Sequence, residues 1–214
     1  MNFIFSENFP YKHFTTAKSA GDMKNKAERG SFFRSLALNP SDLVLANQVH
    51  GNNIKVVKRS DKNTFIDNCD GLITDDKSLL LGIFTADCVP VLISSGNGEV
   101  KAAVHVGWKG LCLGIVENAV GILINDFCAG PKSVKVYIGP HIRSCCYETG
   151  VEMEEKFNVK LVNGKLNLSA ILRDKLESCG VSEIFDVNQC TYHNEELFFS
   201  YRRNCCAERI LSVI

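Results

Sequence analysis

The sequence has no net charge, because its 24 Lys and Arg residues balance 24 Asp and Glu. Lys24, Lys26 and Arg29 are interleaved with polar and acidic neighbours. No global field and no basic run would therefore draw in nucleic acid or an anionic membrane. No apolar stretch is long enough to span a bilayer, and the longest are broken by Asp87, Pro90 or Asn125. The opening MNFIFSENFPYKHF lacks a basic region followed by a long apolar one. No secretion signal is expected, and the expected location is cytoplasmic. Ten cysteines would suggest disulfides in a secreted chain, but in the cytoplasm they read as reduced thiols. No C-x-x-C spacing occurs, which argues against a zinc ribbon and a thioredoxin-like motif. Two cysteine pairs are vicinal, Cys145-Cys146 and Cys205-Cys206. Also missing are a Walker A loop, G-x-G-x-x-G, H-E-x-x-H and G-x-S-x-G. No repeat, low-complexity run or Pro/Gly/Ser-rich linker divides the chain, so residues 1–214 are expected to form one domain.

The hydrophobic share of 45% suits a soluble globular protein. Asp22 is expected to cap a helix through MKNKAERGSFFRSLAL, with Phe32, Phe33 and Leu36 on its buried side. LVLANQV, IKVV, LLLGIFT, PVLIS and KAAVHV read as short apolar strands separated by turn formers. Between Leu111 and Phe127, apolar residues recur at three- or four-residue steps, predicting a helix closed by Gly130-Pro131. VKVYI, IFDVN and LFFSY read as later strands, VEMEEKF and Leu168 through Cys179 as helices. Strands and helices mix without strict alternation. The expected fold class is α/β: a layered sandwich with mixed β-sheets flanked by helices, not a doubly wound parallel sheet.

Chemistry collects at strand ends. His50 ends LVLANQV in NQVHG, Cys88 sits between two apolar runs in TADCVPVLI, and His105 ends an apolar run in KAAVHVGWKG. If those ends converge, one thiolate and two imidazoles meet, a donor set that suits catalytic zinc with an open fourth position. The ordinary alternative is two hydrogen-bonded turn histidines and a core cysteine. Gly107-Trp108-Lys109-Gly110 leads into the helix near Leu111 and could present free amides, with Lys109, to phosphate. It equally suits a tight strand-to-helix connection. Trp108, the one tryptophan, is either a stacking surface or a core residue. Arg202 and Arg203 in SYRRN are candidate phosphate forks or a solvated pair. His13 and His193 lie in polar surroundings and read as surface residues.

NQVHG, CDGLITD, TADCVPVLI, AAVHVGWKG, IGPHIRSCCYETG and CTYHNEELFFSYRR together resemble the successive signature blocks of the laccase-domain, or polyphenol oxidase-like, family. Its members are also named purine nucleoside phosphorylases or peptidoglycan editing factors. The blocks keep family order over about residues 46 to 203, and the TADC and HVGW blocks are specific. The resemblance implies a layered α/β fold and zinc held by His50, Cys88 and His105. It implies phosphorolysis of adenosine, inosine and methylthioadenosine and deamination of adenosine. The expected partners are a small-molecule nucleoside and phosphate, with no nucleic acid and no membrane, acting on a monomer. On that reading Asp87, Cys88 and His105 are the catalytic candidates. Gln48, Trp108, Lys109, Glu148, Arg202 and Arg203 are the substrate-binding candidates, with Lys109 and Arg203 on the dianion and Asp87 or Glu148 moving protons. The chain departs from the family where Lys109 replaces a usual Arg. It departs again over Arg203-Asn204-Cys205-Cys206-Ala207-Glu208-Arg209, where the family has an Arg-Asp-Gly…Gly-Arg stretch.

A multicopper oxidase needs a blue site plus a second cluster built mostly of further histidines. Five histidines, two of them read as surface residues, cannot stock both. Two other readings compete with the nucleoside enzyme. One is a cysteine hydrolase with Cys88 as nucleophile and His105 as base. The other is a zinc-stabilised interaction protein, which needs a fourth protein ligand such as Cys145 or Cys146. A role in cell-wall precursor editing is not distinguished by the residues.

Overall fold

The computed structural model describes residues 2–96 and 98–214. The short apolar runs form β1 (Phe3–Ile4), β2 (Phe14–Thr16), β3 (Leu43–Asn47), β4 (Ile54–Val56), β5 (Phe65–Asp67), β6 (Gly71–Thr74), β7 (Leu80–Thr85), β8 (Val89–Ser94), β9 (Lys101–Val106), β10 (Lys135–Ile138), β11 (Glu183–Asp186) and β12 (Ile210–Val213). The helices are α1 (Lys26–Ser35), α2 (Trp108–Cys112), α3 (Ile115–Asn125), α4 (Glu152–Phe157), α5 (Leu168–Ser178) and α6 (Tyr201–Asn204). One sheet runs β1-β2-β12-β7-β3-β5 and the other β11-β10-β8-β9-β6-β4. Both are mixed: β3 pairs parallel with β7 and β5 while β12 is antiparallel to β7, and β8 is antiparallel to β9 while β4 is parallel to β6.

The side-chain alternation of the strands explains the layering. Leu72, Leu92, Ala103 and Tyr137 of the second sheet face Val44, Ala46, Leu81 and Ile83 of the first. Their neighbours Ile73, Val91, Ile93, Ala102 and Val104 point the other way, onto Val116, Ala119 and Leu123 of α3 and Leu172 and Leu176 of α5. The outer face of the first sheet, through Leu43, Leu45, Phe84 and Leu211, takes Phe32 and Phe33 of α1. The result is a helix–sheet–sheet–helix sandwich, the expected fold class. Burial on both faces is why β8 is apolar at almost every position. Among the described residues no helix is long and apolar enough to cross a membrane.

Local expectations shift in four places. The cap of α1 is Asn25, whose side chain accepts from the Ala27 and Glu28 amides; Asp22 instead accepts from the Lys24 and Arg209 amides. Leu36 follows α1 and is only half-buried. The helix expected from Leu111 starts earlier, at Trp108, and breaks at Gly114, whose φ of 81° is left-handed. LFFSY is not a strand: Phe198 is buried, and the Ser200 side chain caps the short α6. His13 is not a surface residue. It is buried beside Phe9 and Tyr137, with Nδ1 on the Tyr11 carbonyl at 2.6 Å and Nε2 accepting from the Ser6 amide at 3.0 Å.

The topology places the site. β3 and β7 are parallel neighbours, so they leave the first sheet at the same end. There the chain crosses to the second sheet twice, through residues 48–53 into β4 and through residues 86–88 into β8. His50 lies in the first crossing and Cys88 in the second. β9 brings His105 to the same end, beside the start of β6.

The cap assignment is testable. Asn25→Ala should cost about 1 kcal/mol of stability in denaturant unfolding, the usual loss for an N-cap side chain. An unchanged unfolding midpoint would contradict it.

Candidate metal centre

His50, Cys88 and His105 converge: their ligand atoms all lie within 4.8 Å of one another. The two imidazoles meet edge-on, with ring centroids 4.8 Å apart at 90°. Gly107 stands beside all three. A Cβ there would come 3.3 Å from His50 Cδ2, 3.4 Å from Cys88 Sγ and 3.9 Å from His105 Cε1. The missing side chain leaves the three donors the room they share.

A residue outside the sequence-level candidates organises this cluster. Asp70 is fully buried at the entrance to β6. Its Oδ1 accepts from His105 Nδ1 at 2.8 Å and from the His50 amide at 2.9 Å. Its Oδ2 accepts from the Val49 amide at 3.2 Å and the Gly51 amide at 2.7 Å. Three successive amides and one imidazole therefore close on one carboxylate. The His50 turn needs that support, because His50 has a φ of 60°, a left-handed conformation that a non-glycine residue adopts at a cost. With Nδ1 of His105 engaged, Nε2 is left for the Cys88 side. This carboxylate–histidine arrangement is the usual outer support of a ligating imidazole. Burial by itself would raise the Asp70 carboxyl, but the His105 hydrogen bond and the Gly51 amide bring it below its ordinary value. The signal was in CDGLITD: an aspartate set directly before an apolar strand.

The second crossing has a matching device. Asp87, next to Cys88, has a φ of 95° and is buried. Its carboxylate accepts from Thr191 Oγ1 at 2.6 Å, Ser200 Oγ at 3.0 Å and the Arg202 amide at 2.7 Å. Asp87 lines the cavity, but these three donors make it the tie between the Cys88 turn and the C-terminal segment.

Burial opposes charge on both Cys88 and His105, and each overcomes it through the other. Desolvation pushes the Cys88 thiol up, yet His105 and then His50 bring it down to about 6. Desolvation pushes His105 down, yet the Cys88 charge and the Asp70 hydrogen bond raise it to about 9. Each charge therefore favours the other, and the pairing favours a thiolate beside an imidazolium. The same electrostatics suit capture of a cation once the imidazolium proton leaves.

Above the cluster lies a cavity of about 690 Å³. Of the sequence-level candidates, Gln48, His50, Asp87, Cys88, His105 and Arg202 line it. Gln48 is spent on the backbone, with its amide bonded both ways to Phe84 at 2.8 Å. Trp108, Lys109, Glu148 and Arg203 do not line it. Trp108 packs on the helical core with Lys109 and Lys156 over its ring. The glycine turn serves close packing, since a Cβ on Gly110 would meet the Gly51 carbonyl at 2.6 Å. The Glu148 carbonyl accepts from Arg202 at 2.6 Å. Arg203 donates to the carbonyls of Thr191, Tyr192 and Phe198. Sequence reading missed Phe65, Phe84, Tyr147 and Tyr201 on the walls, and Lys24 and Arg209. Cys145 and Cys146 belong to a separate group, so the first cluster offers three protein donors.

Two outcomes follow. Asp70→Asn places an N–H donor where an acceptor is needed. It should weaken metal binding by roughly 10- to 100-fold in chelator competition, the usual loss for an outer-shell partner; an unchanged affinity would contradict the role given to Asp70. After chelation, alkylation of the Cys88 peptide, followed by mass spectrometry, should rise with pH through a midpoint near 6. Metal should slow it. An ordinary midpoint of about 8.5 would remove the thiolate–imidazolium pair, and fast, metal-independent alkylation would favour a nucleophilic cysteine.

The family described as multi-copper polyphenol oxidoreductase laccase matches residues 5–214. A purine nucleoside phosphorylase of Clostridium acetobutylicum is 34% identical over 204 residues, covering 90% of this chain and 85% of that protein. A purine nucleoside phosphorylase of Haemophilus influenzae is 31% identical over 221 residues, covering 96% and 87%. The crystal structure of hypothetical protein YfiH from Bacillus licheniformis superposes with a TM-score of 0.88 at 26% identity, covering 94% of this chain and 91% of that one. Matched over residues 5–214, the chain belongs to the multi-copper polyphenol oxidoreductase laccase family.

Proposed function

We propose that this chain is a zinc-dependent enzyme of purine nucleosides, cleaving adenosine, inosine or methylthioadenosine with phosphate and also deaminating adenosine. The observation that carries this reading is the convergence of His50, Cys88 and His105 beside a cavity with aromatic walls and cationic residues. Its volume of about 690 Å³ lies within the range of small-molecule sites. The names of the Clostridium and Haemophilus relatives support the substrate class.

Two imidazoles and a thiolate, with room left by Gly107 and His105 fixed by Asp70, fit a zinc ion. When bound, zinc supplies Lewis acidity and a water acidified to near neutrality. The rest of the work falls to the chain's own side chains. In phosphorolysis a phosphate oxygen bonds to the anomeric carbon as the carbon–purine bond breaks, and the electron pair leaves with the base. Arg202, Arg209 and Lys24 line the cavity and take the dianion-binding role first given to Lys109 and Arg203. Arg202 lies over the Tyr147 ring at 5.2 Å and Arg209 over the Tyr201 ring at 5.9 Å, so aromatic faces and guanidinium groups alternate along the wall. Burial, then the nearby Cys88 charge, pushes the Tyr147 hydroxyl up to about 12. It keeps its proton at neutral pH and can donate it to the leaving purine. Phe65 and Tyr201, both exposed, offer flat surfaces to the base.

Among the described residues no histidine beyond His50 and His105 joins their cluster. Both nitrogens of His13 are bonded to backbone, and His141 Nδ1 bonds to the Gly139 carbonyl at 2.8 Å.

Adenosine incubated with and without phosphate, with bases and nucleosides separated by chromatography, tests the proposal. Free adenine should require phosphate and inosine should not. Arg209→Ala should lower phosphorolysis by about thirtyfold, or about 2 kcal/mol for one charged contact, and largely spare deamination. Lys109→Ala should alter neither, and His105→Ala should abolish both. Equal loss of both reactions in the Arg209 variant, or survival of either in the His105 variant, would overturn the assignment.

A further inference from the structure

A second group of soft donors lies outside the cavity lining. Cys145, Cys146, Cys190 and His193 bring three sulfurs and one imidazole nitrogen together, all within 4.8 Å of one another. The fold makes this meeting. His141 and Cys190 form a parallel bridge, with the His141 amide on the Gln189 carbonyl at 3.2 Å and the Thr191 amide on the His141 carbonyl at 3.0 Å. The segment after β10 is thereby fastened to the segment after β11. Cys145 and Cys146 sit on a turn closed by the Cys146 amide on the Arg143 carbonyl at 2.8 Å, and His193 sits on the turn after the bridge.

We propose that Cys145, Cys146, Cys190 and His193 form a second metal site, one that binds zinc and holds these two segments together. Three thiolates and one imidazole are an accepted structural zinc set. Tetrahedral zinc with sulfurs at about 2.3 Å puts neighbouring sulfurs about 3.8 Å apart, so the donors need only a small contraction. Cys145 Sγ and His193 Nδ1 are already 3.4 Å apart. The Arg143 amide points at Cys190 Sγ at 3.5 Å, the kind of donor that supports a ligating thiolate.

The competing use of such thiols is a disulfide. Adjacent cysteines have Cα atoms about 3.8 Å apart, short of the usual disulfide span of about 4.4–6.8 Å, which disfavours a Cys145–Cys146 bond. A bond from Cys190 to either would leave one thiol and His193 unused, whereas a tetrahedral ion uses all four donors. Cys190 is buried while Cys145 and His193 are exposed, which gives an ion a path from solvent to a half-sheltered site. Binding would displace the thiol protons into solvent.

The consequence reaches the cavity. Tyr147, one residue beyond Cys146, lines it, and Thr191, one residue beyond Cys190, donates to Asp87 at 2.6 Å. A cation on the second site would brace both.

Zinc titration of the full-length, reduced chain against a chromophoric chelator tests the site. Two sites of three and four protein ligands should take up about two equivalents. His105→Ala should lose one, and Cys190→Ser or His193→Ala the other. His193 is exposed, so its variant is a test that does not depend on core packing. His193→Cys should restore the second equivalent. In the cobalt-loaded chain, Cys190→Ser should remove more thiolate-to-metal charge-transfer absorption than Cys88→Ser. A single equivalent in the parent chain, or a second equivalent that survives both the Cys190 and His193 substitutions, would overturn the proposal. So would a Cys190 disulfide found by non-reducing peptide mapping of the chain purified without metal. Loss of nucleoside turnover with both equivalents retained would count against the nucleoside reading alone.

Discussion

The Asp70 carboxylate is the interaction on which the site rests. A buried carboxylate without partners is costly, and here four donors compensate it: three consecutive amides of the His50 turn and Nδ1 of His105. The same contacts do three things. They hold His50 in a left-handed conformation, they set the orientation of His105, and they join the first crossing between the sheets to the end of β9. The His105 amide on the Asp70 carbonyl at 2.7 Å adds a backbone link at the same point. The two histidines could not be placed independently, because a single side chain fixes both.

Asp87 repeats the device on the other crossing. It supports the left-handed turn beside Cys88 and reaches across to Thr191, Ser200 and the Arg202 amide. Through Ser200 and Arg202 it starts α6, and so places Tyr201 and Arg202 on the cavity wall. Two strained turns, each held by a buried aspartate, thus deliver a thiolate and an imidazole to the same end of the sandwich. Strain of this kind persists only where the surroundings over-determine it, and both turns meet that condition.

The His50–Cys88–His105 group and the layered mixed-sheet class were legible because strand-end chemistry and apolar runs are local signals. β12 and β2 were not, since Phe14–Thr16 and Ile210–Val213 are short and their pairing joins the two ends of the chain. LFFSY misled because an apolar run next to an aromatic reads as a strand, whereas Asp87, more than 100 residues away in sequence, pulls Ser200 into a cap. Lys109 and Arg203 were chosen by charge and motif. Which wall a guanidinium reaches is a tertiary fact: Arg203 and Arg209 both donate to backbone carbonyls, but Arg209, in the stretch that departs from the family pattern, lines the cavity and Arg203 does not. Asp70 was overlooked because its importance lies in what folds back onto it.

The proposed function turns on His50, Cys88 and His105 holding one zinc ion beside the cavity. Anomalous diffraction from crystals of the zinc-loaded chain, recorded above and below the zinc edge, tests it most directly. The expected result is a zinc-specific peak bonded to all three, about 2.3 Å from the Cys88 sulfur and about 2.0–2.1 Å from each imidazole nitrogen. A zinc-loaded crystal with no peak between those three side chains would contradict it.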